Sequence, residues 1–83
     1  MNQSAIRLLR LPAVLDVRAC KSSKHHADVA ARLWTRPIKC GPKFSAWPEH
    51  ECAALNAAVI AGKTPDEIRA LVERLEADRQ KLA

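Results

Sequence analysis

The 83-residue sequence predicts a single, mostly α-helical domain that carries one small β-hairpin. Three observations predict it. Apolar residues recur at three- and four-residue spacing in four segments separated by turn chemistry. Between the second and third segments, two short runs flank Gly41-Pro42-Lys43, a hairpin signal. The charge is also split. Residues 1–47 hold nine Lys/Arg against Asp16 and Asp28, a balance of +7, whereas residues 48–83 hold five Lys/Arg against seven Asp/Glu, a balance of −2.

Residues 1–5 are polar and are expected to fray. Ile6, Leu8 and Leu9 suit a short extended lead-in that packs on the body. Pro12 fits the first turn of a first helix, where its missing N–H would have no partner anyway. Val14, Leu15 and Val17 give that helix its apolar side, and the pattern breaks over Arg18–Lys21. Ser22 or Ser23 suits the N-cap of a second helix running to about Arg32. Its inner face is Val29, Ala30 and Leu33; Lys24, Ala27, Asp28 and Ala31 belong to its outer one. Trp34 closes it against the core, and Pro37 marks the stop.

Strands are expected over about Arg36–Cys40 and Phe44–Trp47. Gly41 supplies a positive φ at the tip and Pro42 stiffens it. Ile38, Cys40, Phe44 and Trp47 are the buried anchors of this hairpin. Pro48-Glu49-His50-Glu51 opens a third helix, with acids in the first turn as the macrodipole favours. Cys52, Leu55, Ala58 and Val59 form its inner stripe, and Gly62 ends it. Thr64-Pro65-Asp66-Glu67 is a capping box for a fourth helix. That helix buries Ile68, Leu71, Val72 and Leu75, with Arg69/Glu73 and Arg74/Asp78 as outer i,i+4 pairs.

Size and composition exclude several classes. A chain this short buries only about 60–65% of its unfolded surface, which leaves little room for a deep pocket beside a core. No apolar stretch approaches the roughly 20 residues needed to span a bilayer, and the N-terminus lacks a signal-peptide hydrophobic region. A cytoplasmic protein without membrane partners is expected. Cys20, Cys40 and Cys52 are odd in number and widely spaced, so they read as small buried hydrophobes rather than a disulfide framework. Together with His25, His26 and His50 they show no metal-ligand spacing, so no metal or other cofactor is expected. A Gly-rich phosphate loop, paired catalytic carboxylates and a nucleophile with an evident base are all missing from the pattern, which argues against an enzyme.

The segments Leu8-Leu9-Arg10-Leu11-Pro12-Ala13-Val14-Leu15, Arg36-Pro37-Ile38-Lys39-Cys40-Gly41-Pro42-Lys43 and Ala46-Trp47-Pro48-Glu49 resemble AlpA-like regulators and excisionases of prophages and integrative elements. The resemblance covers about residues 6–62, and the helix over Thr64–Leu75 resembles a C-terminal extension of some members. It implies a winged helix-turn-helix related in fold to the MerR-type head. Residues 6–47 would be the DNA-reading head with its wing, and 48–83 the supporting and assembly helices. Where the family usually has Gly-Leu-Ser-Arg-Ser at the turn, this chain has Ala19-Cys20-Lys21-Ser22-Ser23. His25-His26 replaces a common aliphatic–aromatic pair, and Arg32 replaces a frequent glycine. The DNA target therefore does not transfer.

Two groups of residues are candidates for double-stranded DNA. Lys21, Ser22, Ser23, Lys24 and His26 occupy the first two turns of the second helix, where lysine and histidine can meet guanine or phosphate and serine commonly bonds phosphate. Arg36, Lys39 and Lys43 occupy the hairpin, suited to backbone or minor-groove contact. Trp34 and Trp47 are flanked by apolar residues and read as core rather than as stacking platforms. The resemblance implies two roles: a recombination directionality factor, which coats and bends an attachment site so that an integrase excises the element, and a transcriptional regulator of a mobile element. The first is the expected one, and because a single small copy should bind weakly it requires cooperative binding with further copies of itself. An alternative of another class is a protein-interaction adaptor that uses the helical rear and no DNA.

Overall fold

The computed structural model describes residues 6–82. The expectation for residues 1–5 lies outside the described residues. The order is β1 (Leu8–Leu9), α1 (Leu11–Arg18), α2 (Ser22–Ala30), β2 (Ile38–Gly41), β3 (Phe44–Pro48), α3 (Glu49–Ile60) and α4 (Pro65–Asp78), closing in a 3₁₀ turn at Arg79–Leu82. The molecule is mostly helical with a small antiparallel sheet in the order β1-β3-β2. No helix among the described residues is long and apolar enough to cross a membrane.

The extended lead-in is a true strand: Leu8 pairs with Pro48 and Leu9 with Trp47. Glu49 N–H extends that ladder by donating to Arg7 O at 2.8 Å. On the other side of β3, Ile38 faces Ala46, Lys39 faces Ser45 and Gly41 faces Phe44. The register slips between Lys39 and Gly41, so Cys40 has no opposite number. This bulge explains why Cys40, expected as a buried anchor, is exposed. Gly41 ends β2 as a paired residue, and positive φ among the described glycines is confined to Gly62. The tip is the two-residue link Pro42–Lys43.

The core gathers Leu9, Val14, Trp34, Trp47, Cys52, Leu55 and Val72, with Leu71, Ile68 and Leu75 packed against it. Trp47 Nε1 donates to Thr35 O at 2.8 Å, which joins β3 to the loop leaving α2. Both tryptophans are core residues. Val17 and Val59, assigned to inner stripes, are exposed instead. Cys20 is half-buried, so of the three cysteines only Cys52 is a buried hydrophobe.

Three helices end alike. Cys20 N–H bonds Leu15 O, Leu33 N–H bonds Asp28 O, and Lys63 N–H bonds Ala58 O, each past a residue in the left-handed region. Those residues are Ala19 (φ 55°), Arg32 (φ 65°) and Gly62 (φ 74°). The six-to-one bond satisfies an orphan carbonyl and reverses the chain. For Gly62 this is the stop read from the sequence. The second helix ends at Ala30, short of the expected Arg32, because the closing turn occupies Ala31–Leu33.

Starts differ as well. Thr64 Oγ1 accepts from Glu67 N–H at 3.2 Å while Glu67 Oε1 accepts from Thr64 N–H at 2.9 Å, completing the capping box. Neither Ser22 nor Ser23 caps α2: the N-cap is Lys21, with no side-chain cap bond. On α4 the expected i,i+4 pairs are replaced by others. Arg69 reaches back to Asp66 at 3.4 Å and donates to Ala31 O at 2.9 Å, tying α4 to the end of α2. Asp78 pairs with Lys81 at 3.5 Å instead of Arg74.

Candidate nucleic-acid interface

Helix α2 divides cleanly into two faces. Ser22, Ser23, Lys24, His26 and Ala27 are exposed, while His25 and Asp28 are buried. Asp28 was expected outside. It turns inward because Arg18, on the preceding helix, donates to its carboxylate. Burial opposes the charged form of Asp28, but the hydrogen bonds from Arg18 and Lys24 hold its carboxyl below the ordinary range. The Arg18 guanidinium lies 4.0 Å from the Trp34 ring centroid and donates to His25 Nδ1 at 2.8 Å. Accepting that bond leaves His25 neutral with its proton on Nε2. Burial, then the nearby Arg18 charge, push the His25 pKa down to about 4. The ring packs edge-on to Trp47, centroids 4.8 Å apart. A polar linchpin thus joins α1, α2 and β3, and it fixes which side of α2 faces solvent.

Between the N-terminal end of α1, the outer face of α2 and the hairpin lies a groove of about 450 Å³. Arg10, His26 and Lys43 bring positive or protonatable groups to it, Ser45 adds a hydroxyl, and Pro12, Pro37 and Trp47 supply its apolar walls. Lys39 is the cross-strand partner of Ser45, so its side chain leaves the same face of the hairpin. Among the described residues no acidic side chain lines the groove. Two candidates from different elements, His26 and Lys43, are therefore brought together, with Lys39 beside them. Lys21, Ser22 and Ser23 are exposed at the start of α2 but do not line the groove. With no side chain capping α2, its first-turn N–H groups are left to solvent or a ligand.

Two predicted cations are already engaged. Lys24 Nζ lies 3.0 Å from Asp28, an i,i+4 pair whose lysine remains well exposed. Arg36 belongs to the rear: its backbone N–H and guanidinium both bond Glu76, at 2.8 and 3.1 Å. Glu76 also takes two bonds from Arg32, at 3.0 and 2.8 Å. Burial opposes ionisation of Glu76, yet these donors from Arg32 and Arg36 hold its pKa down to about 2. Arg79 completes this side, bonding the buried Glu51 at 2.8 and 2.7 Å and Arg36 O at 2.7 Å.

Arg10 is the residue that sequence reasoning missed. Its guanidinium sits 4.5 Å from the Phe44 ring centroid, at the mouth of the groove. The one sequence signal was a cation placed directly before a helix-starting Leu-Pro. Only the β1–β3 pairing, about 40 residues apart in sequence, shows that it joins the hairpin. Among the described residues no group of three or more His, Cys, Asp or Glu could hold a metal ion. Comparison with family models, with curated proteins and with solved structures finds no match to this chain.

Proposed function

We propose that this chain is a double-stranded DNA-binding protein of winged helix-turn-helix type, acting in the cytoplasm as a recombination directionality factor of a mobile element. The observation that carries the DNA reading is the acid-free groove where Arg10, His26 and Lys43 converge from three elements. α2 would enter the major groove by its exposed N-terminal half, and the β2–β3 hairpin would lie along the adjacent backbone. A polyanion suits this face because Glu76 and Glu51 are sequestered behind it by arginines. The excision role rests on the resemblance of residues 6–62 to AlpA-like excisionases. Several copies binding side by side would offset a bending cost of order 1–6 kcal/mol for a site of 20–30 bp.

The test is a gel shift at low salt on attachment-site and random DNA, followed by an excision assay with and without the chain. A shift with stimulated excision is expected. A shift without stimulation would reassign the chain to transcriptional control of the element, and the absence of any shift would overturn the DNA reading in favour of a protein adaptor.

A further inference from the structure

Arginine and lysine stay charged at physiological pH, whereas a histidine gains or loses its proton there. The groove holds both kinds of group. His26 stands on the exposed side of α2 and shares the groove with Arg10 from the start of α1 and Lys43 from the hairpin, with Lys39 beside them. On its own helix the neighbouring ring is His25, centroids 5.6 Å away, which burial and Arg18 keep neutral down to about pH 4. Asp28, the one acid of α2, is turned inward onto Arg18. Among the described groove residues His26 therefore has cations for company and no carboxylate. Its place in the fold adds a second constraint. With α2 in a major groove and the hairpin along the adjoining backbone, the intervening DNA strand passes between them. There it crosses the mouth where Arg10 is held 4.5 Å from the Phe44 ring centroid. A phosphate at this point meets cations, and its sugar meets the walls of Pro12, Pro37 and Trp47.

We propose that a backbone phosphodiester of the duplex seats between Arg10, His26 and Lys43, and that binding takes up a proton at His26. This seat presupposes the DNA reading and adds to it a dependence on acidity. A phosphodiester stays singly negative near neutral pH, so at this seat the imidazole is the group that changes charge. Opposite charges in contact shift a protonation equilibrium by about tenfold or more. The protonated ring is favoured in the complex, so the gain in affinity is full at the acid end and is lost as pH rises. The sign also separates this effect from unfolding. Acid weakens the fold through His25, and that would lower the affinity for DNA instead of raising it.

The test is fluorescence anisotropy of a rhodamine-labelled duplex of about 25 bp with the full chain, at fixed low salt in phosphate-free buffers. The range runs from about pH 5.5 to about pH 8, to bracket the titration of a histidine. An affinity about tenfold higher at the acid end is expected. His26→Gln should bind throughout with the parent's alkaline-end affinity, and His26→Lys should bind tightly throughout. Either flat profile identifies the ring, so one variant carries the test if the other fails to fold. Arg10→Ala should weaken binding and shrink the rise, because the phosphate that favours the proton is held less firmly. Binding without the rise, a rise that survives either His26 substitution, or a rise of parental size in Arg10→Ala overturns the proposal and leaves the DNA reading standing. No binding to the duplex at either end of the range overturns both.

Discussion

His25 shows how one residue ties folding to acidity. Its imidazole is buried, neutral, and held against a permanent cation, Arg18. The unfolded chain gains a proton near pH 6.5, whereas the folded chain resists until about pH 4. Stability is therefore complete above about pH 6.5 and declines as pH falls towards 4, by about 2–3 kcal/mol for a shift of this size. Urea unfolding at neutral pH and at about pH 5 should reveal the decline. A His25→Phe variant should show a flatter pH dependence in that window, and an unchanged slope would rule out His25 as its source. The burial of His25 was half legible, because His25-His26 stands where the resembled family commonly has an aliphatic–aromatic pair. Its partner was not: Arg18 lies seven residues away, across a turn whose geometry depends on Ala19 adopting a left-handed backbone.

At the scale of elements, that turn and the hairpin carry separate expectations. A non-glycine residue in the left-handed region costs roughly 1–2 kcal/mol, and glycine gives part of this back through its greater unfolded-state freedom. Ala19→Gly should therefore stabilise by about 0.5–1 kcal/mol, read as a higher urea midpoint at unchanged m-value. A lower midpoint would mean that the Ala19 methyl contributes packing that outweighs the strain. Gly62 announced its turn in the sequence; Ala19 and Arg32 could not, because their residue types rarely adopt this conformation. The capping box was fully legible, since both its bonds are local. The bulge at Cys40 was not, since pairing register depends on the opposite strand. On the hairpin, Lys39 and Lys43 are proposed to neutralise phosphates. The double variant Lys39→Ala/Lys43→Ala should make the slope of log K against log salt shallower by about 0.9 for each phosphate left without its lysine. A slope equal to that of the parent would remove the hairpin from the interface.

For the whole molecule, the charge asymmetry seen in the sequence is only part of the picture. Arg32 and Arg36 were counted with the basic front, but Glu76 draws both to the rear across 40 to 44 residues. No local pattern shows such a pairing; it exists because Val72 and its neighbours seat α4 on the core with Glu76 facing the loop after α2. Glu76→Ala leaves several donors without an acceptor and should cost about 1–3 kcal/mol. In a domain of this size that lowers Tm by about 4–8 °C per kcal/mol. Because the folded carboxyl titrates near pH 2, the advantage of the parent over the variant is full above about pH 4.5 and vanishes as pH drops towards 2. Thermal melts along that range check the sign, and a difference that persisted to pH 2 would contradict it. The slipped register at Cys40 has a last, practical consequence. The bulge holds one thiol outward beside Lys39, while burial pushes the Cys52 thiol up to about 11 and hides it. The hairpin thus carries a native attachment point for a fluorophore or spin label, next to the surface where a duplex is proposed to sit, and replacing the half-buried Cys20 leaves it the one exposed thiol among the described residues.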